Sequence, residues 1–134
     1  DAKPGTACWL LPAAKMSEIV GEPLVAKADD GAIEYGFSSC AYFTPSGHHH
    51  RLTFSYEAAG GATKRMVMDI PPHGPATAQN PYADLGDGAT MAHGVLFIVD
   101  GDAAVSLDAS KLAGPDQHAL AERVLAALAA RGEG

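Results

Sequence analysis

Val95-Leu96-Phe97-Ile98-Val99-Asp100-Gly101-Asp102-Ala103-Ala104-Val105-Ser106-Leu107-Asp108 reads as two strands joined by a tight turn. β-branched and apolar residues run on either side of an Asp-Gly signal, whose residues tolerate the positive φ that a two-residue hairpin loop demands. Leu96, Ile98, Val105 and Leu107 share one face whether the turn is centred on Asp100-Gly101 or on Gly101-Asp102. The two registers differ by two residues, and side chains alternate with a period of two. That apolar face needs a cover, and the chain supplies one just downstream. Gly114-Pro115-Asp116 opens a helix, with proline suited to the first helical position and a carboxylate near the positive dipole end. Leu120, Val124 and Leu128 recur every four residues, flanked by Ala121, Leu125 and Ala127, and Arg131-Gly132 closes the helix.

Upstream, Leu52, Phe54 and Tyr56 alternate with Arg51, Thr53 and Ser55, ahead of Ala59-Gly60-Gly61. The run Met66 to Ile70 is expected to pair with them as a second hairpin. A three-residue loop sets Tyr56 against Lys64, Phe54 against Met66, Leu52 against Met68 and His50 against Ile70. This register commits Met66 and Met68 to the core and places Arg51 opposite Asp69 on the other face. Three prolines in Ile70-Pro71-Pro72-His73-Gly74-Pro75 end that strand, because proline cannot donate to a ladder. The stretch from Pro71 to Pro81 is then the longest irregular connection.

Nearer the start, Pro12 and Gly21 bracket a short helix with Met16, Ile19 and Val20 on one stripe, and Pro23 forbids its continuation. Asp30-Gly31 marks a turn between Leu24–Lys27 and a run from Ala32 to Phe43. The order helix, several strands, helix predicts an α+β domain over residues 1–134. Its antiparallel sheet of roughly five to seven strands is packed by an N-terminal and a C-terminal helix.

Composition narrows the functional classes. The chain has 134 residues, a size at which roughly 65–70% of the unfolded surface is buried and no metal is needed to hold a core. Nine Lys and Arg against sixteen Asp and Glu give a formal charge of −7, with the cations scattered. Nucleic-acid binding needs a clustered basic face, so no nucleic-acid partner is expected. No stretch reaches the roughly 20 apolar residues of a membrane span. The opening Asp1-Ala2-Lys3-Pro4-Gly5-Thr6-Ala7 reads like a mature start behind a removed leader. A lipid anchor upstream of Asp1 would be the one route to a membrane.

Cys8 and Cys40 are the only two cysteines. An even count outside any CxxC or Cys/His cluster suits a disulfide, closing a loop of about 33 residues and adding roughly 3–4 kcal/mol in the chain-entropy model. The competing reading is two buried thiols acting as small hydrophobes. Cys8-Trp9-Leu10-Leu11-Pro12 ahead of a short helix, then Gly21-Glu22-Pro23, then Ser39-Cys40-Ala41-Tyr42, resembles the DUF3558-type bacterial lipoprotein domains. Leu85-Gly86-Asp87-Gly88-Ala89, the hairpin and the alanine-rich last helix extend the likeness over nearly the whole chain. Some relatives of that group are similar to the PsbP-like fold. The resemblance implies paired cysteines, an extracytoplasmic location (periplasmic, cell-envelope or secreted) and a binding or accessory role. It brings no catalytic residue with it.

Candidate chemistry is thin. His48-His49-His50 is the most conspicuous feature, since imidazole is the commonest metal ligand. With His73 it makes the metal candidates His48, His50 and His73. Consecutive strand residues point to opposite sides, however, and the expected hairpin takes Met66 and Met68 away as soft donors. A solvated loop is the expected state. Asp100, Asp102 and Asp108 lack the oxygen-ligand spacing of a calcium loop, and Asp84 and Asp87 read as turn residues. There is no G-x-S-x-G, H-E-x-x-H or G-x-x-x-x-G-K-[ST]. The expected function is therefore a non-catalytic, secreted or envelope-associated accessory domain. It would bind a protein partner or small ligand and carry no cofactor. The alternative is a periplasmic metal-binding protein using His48–His50.

Overall fold

A computed structural model describes residues 3–29, 31, 36–58, 60–109 and 114–131. The helices are α1 (Ala7–Leu10), α2 (Ala13–Val20), α3 (Gly61–Met68) and α4 (Gly114–Ala130). The strands are β1 (Val25–Asp29), β2 (Phe37–Phe43), β3 (His50–Glu57), β4 (Ala89–Ala92), β5 (Val95–Asp100) and β6 (Ala103–Asp108). They form one antiparallel six-stranded sheet in the order β1-β2-β3-β6-β5-β4. The expected α+β class, with helices at both ends of the chain, is what forms. Asp30 of the first turn, Ala32 to Tyr35 of the expected run and the closing Gly132 lie outside the described residues.

The β5–β6 hairpin pairs Leu96 with Leu107, Ile98 with Val105 and Asp100 with Ala103, so Gly101-Asp102 forms the two-residue turn. Those four apolar residues join Leu52 and Phe54 of β3 and Tyr42 of β2, all 2% exposed or less. α4 covers them with Leu120, Val124 and Leu128; α1 and α2 add Leu10, Met16 and Ile19 to the same core. Burying each such side chain contributes about 1.5–3 kcal/mol.

The second expected hairpin does not form. Residues Gly61–Met68 are the helix α3, Met66 is 83% exposed and Met68 is only half-buried. The reason is non-local. β3 is flanked by β2 on one edge and β6 on the other, so neither edge remains for a strand from 64–70. With no ladder to join, Ala-Thr-Lys-Arg-Met follows its helical preference. Asp69 ends the helix with φ of 53°, a left-handed conformation that Asp tolerates better than most residues. The expected Arg51–Asp69 pair is likewise replaced. Arg51 reaches Glu22 in a two-pronged contact, Nη2 to Oε1 at 3.0 Å and Nε to Oε2 at 3.2 Å, tying the segment after α2 to β3.

β4 is an element that the sequence pattern did not announce. It pairs with β5 through His93-Gly94, both at positive φ (54° and 79°), as a type I′ turn requires. The irregular connection 69–88 is held by backbone bonds, His73 N–H to the Asp87 carbonyl and Asp87 N–H to the Val99 carbonyl among them. It passes so close to itself that a Cβ at Gly88 would sit 2.2 Å from the Pro71 carbonyl oxygen.

Candidate functional site

Cys8 and Cys40 are disulfide-bonded, which fastens α1 to β2. The buried Ser38 hydroxyl accepts a hydrogen bond from the Ala7 N–H (2.8 Å), and the buried Tyr42 hydroxyl donates to the Leu11 carbonyl. Burial pushes the Tyr42 phenol well above its ordinary pKa, so it stays a donor. These links fix α1 and the start of α2 against the sheet, and α4 then lies beside α2. Ile19 lines the space beside Arg123, while Pro12 lines it beside Ala130 and Arg131, so the two helices run antiparallel.

Between them is a groove. One part, of about 320 Å³, is lined by Lys15, Glu18, Ile19, Arg123, Ala126, Ala127 and Ala130. A second, of about 190 Å³, shares Lys15, Ala127 and Ala130 and adds Leu10, Pro12 and Arg131. The groove follows from the sequence of α4. Leu120, Val124 and Leu128 point into the core. Arg123, Ala126 and Ala130 recur at i, i+3 and i+7 on a neighbouring stripe, where the two alanines end at Cβ. Larger residues at 126 and 130 would close it.

The charges are concentrated. Lys15, Arg123 and Arg131 are three of the chain's nine Lys and Arg, whereas Glu18 is the one lining residue among sixteen Asp and Glu. The titratable side chains of the lining are Lys15, Glu18, Arg123 and Arg131. Each arginine is anchored. Arg123 Nη1 donates to the Ile19 carbonyl at 2.9 Å; Arg131 Nε and Nη2 donate to the Trp9 carbonyl, and its guanidinium lies 4.0 Å from the Trp9 ring centre. A guanidinium has five N–H donors, so both keep donors beyond these contacts.

The histidines predicted from sequence are scattered in role. His48 and His49 are exposed in the turn before β3. His50 begins the strand with its ring edge-on to Phe43, and its Nε2 is 2.6 Å from the Thr53 hydroxyl. His73 Nδ1 donates to the Gly86 carbonyl at 2.9 Å and so braces the 69–88 connection. Among the described residues, no three of His, Cys, Asp or Glu are grouped to hold a metal ion. Met66 and Met68, expected in the core, sit on α3, which packs on β5 and β6.

A second polar cluster joins the 69–88 connection to α4. His118 Nε2 lies 2.8 Å from Asp84 Oδ1 and its Nδ1 3.5 Å from Glu122 Oε1, with the ring stacked on Tyr82. The His118 hydrogen bond lowers the Asp84 pKa. At the hairpin, Asp87 Oδ2 accepts the Gly101 N–H at 2.6 Å. Burial, and then the Asp87 charge, raise the Asp100 pKa. Both clusters pin loops. The groove is the site that sequence reading missed, and the small-residue run Ala126-Ala127 with Ala130 between two arginines was its available signal.

Compared with family models, curated proteins and solved structures, the chain matches none. Among the described residues, no helix is long and apolar enough to cross a membrane. The disulfide suggests an oxidising compartment.

Proposed function

We propose that this chain is a non-catalytic binding domain of the extracytoplasmic space, secreted or attached to the cell envelope, that takes a negatively charged partner or ligand in the α2–α4 groove. The observation that carries the reading is the collection of Lys15, Arg123 and Arg131 around an alanine floor on an otherwise acidic protein. A cationic groove on an anionic body focuses field lines, selects for negative charge and repels most other acidic proteins. The envelope assignment draws on the likeness of the Cys8-Trp9-Leu10-Leu11-Pro12 and Ser39-Cys40-Ala41-Tyr42 segments to the DUF3558-type lipoprotein domains, together with the disulfide.

Two variants test it. Ala130→Trp fills the groove from an exposed position, and Lys15→Glu reverses one of its exposed positive charges. Both should keep the wild-type circular dichroism spectrum and melting profile. Each should lose whatever partner co-purifies stoichiometrically with the wild-type protein from its native compartment. Retention of that partner by both variants would place the binding surface elsewhere.

A further inference from the structure

Taking the groove as the docking site, we infer that its occupant is an acidic amphipathic helix belonging to a protein partner. The walls decide between helix and strand. α2 and α4 spend their backbone N–H and C=O groups on internal hydrogen bonds, so an extended segment laid between them would find no main-chain partners. Its own buried polar groups would then go unpaired, at a cost that recurs with every residue. A helix arrives with those bonds already made. The floor agrees. Ala126, Ala127 and Ala130 project no further than Cβ, which lets a third helix settle at the close end of the usual interaxial range of about 8–10 Å.

The cations give the occupant's pattern. Arg123 on α4 and Arg131 just past its end are eight residues apart, about 12 Å along the helix axis or just over two turns. A helix lying along the groove meets both with Asp or Glu seven or eight residues apart on one face, and Lys15 faces the interval between them from α2. Apolar or small residues between these acids would rest on the alanines, Leu10 and Ile19. Glu18, the lone acid of the lining, is 74% exposed and pairs loosely with Lys15 at 3.9 Å, a contact that an incoming carboxylate would compete with. The contacts of Arg123 with Ile19 and of Arg131 with Trp9 hold the guanidinium groups in place before anything binds, which lowers the ordering cost of the complex.

The test uses the full chain, isotope-labelled, and four probes. The first is a stapled alanine–leucine helix of about 15 residues bearing glutamates seven apart. Its twin replaces both glutamates with glutamine. A third peptide keeps the composition of the first but carries two internal prolines, and laurate is the fourth probe. The glutamate helix is expected to shift the amide signals of Lys15, Ala126 and Ala130. It should bind at least about tenfold more tightly than the glutamine twin and weaken with added salt. Lys15→Gln should lower its affinity several-fold without changing the fold. Equal binding of the proline-broken peptide, or of laurate alone at the same residues, would overturn the helix assignment. Failure of every probe would overturn it too. The groove's role as docking site would still stand if Ala130→Trp and Lys15→Glu shed the native partner.

Discussion

The Arg131 guanidinium lies 4.0 Å from the centre of the Trp9 ring, and the same group donates two hydrogen bonds to the Trp9 carbonyl, at 3.2 and 3.0 Å. This joins the residue just after α4 to α1 across nearly the full length of the chain. It sits at one end of the cationic groove and sets how far apart α1 and α4 stand there.

Trp9 is the only tryptophan, so this contact has its own optical signal. Arg131→Ala removes the stacked cation and uncovers the indole. Tryptophan emission should move to longer wavelength and become more open to acrylamide quenching, with a loss of about 1–2 kcal/mol from the stacking and the two hydrogen bonds together. An unchanged spectrum would mean that the two residues do not meet in solution.

Replacing both cysteines by alanine should cost about 3.5 kcal/mol, from the loop closed by residues 32 apart. Urea denaturation of the double variant, beside wild type with and without reductant, checks this. Because Cys8 is 7% exposed and Cys40 fully buried, a mild reductant should act on the folded protein only slowly.

Val124→Asp puts an unpaired carboxylate among Leu120, Ala121 and Leu128 and should cost several kcal/mol. Ala126→Asp, two residues on and exposed, should cost only about 1 kcal/mol, from helix propensity and the helix dipole. A similar melting temperature for the two variants would rotate α4 away from the orientation described here.

Two aspartates should respond to pH in opposite senses. The Asp84 pKa is lowered, chiefly by the His118 hydrogen bond, so its stabilising contribution is present above its unfolded pKa and fades as pH falls through the folded one. Asp84→Asn should therefore lower stability at pH 6, and its gap to wild type should shrink in acid below the ordinary value of 3.8. The Asp100 pKa is raised, first by burial and then by Asp87, so its folded form favours the proton and loses ground as pH rises. Asp100→Asn should gain stability on wild type at neutral pH and lose that advantage in acid. Urea midpoints of both variants across pH 3 to 7 give the comparison.

The parts legible in the sequence are those where one local period decides. The alternation through Val95–Asp108 and the four-residue recurrence of Leu120, Val124 and Leu128 each admit a single apolar face, and both are formed as read. Met66-Val67-Met68 was read as a strand, although an apolar run of that length suits a helix equally well. The outcome turned on β6 claiming the free edge of β3, a pairing between Tyr56 and Val105 that no local pattern contains. β4 escaped notice because Ala89-Thr90-Met91-Ala92 has weak strand character, and its turn is His-Gly rather than Asn-Gly. The groove was invisible for a related reason. Arg123, Ala126 and Ala130 look like a solvent face of α4 until α2 and Lys15 are laid alongside.

The most direct test of the central claim, that the α2–α4 groove is where the domain meets its partner, is a photo-crosslinking map in the native compartment. A photoreactive amino acid is placed at Ala126 in the groove and at the exposed Thr77 in the 69–88 connection. An adduct of one defined mass should form from position 126, be missing from position 77, and vanish when Lys15→Glu is added. Equal adducts from both positions, or an adduct at 126 that survives the charge reversal, would contradict it.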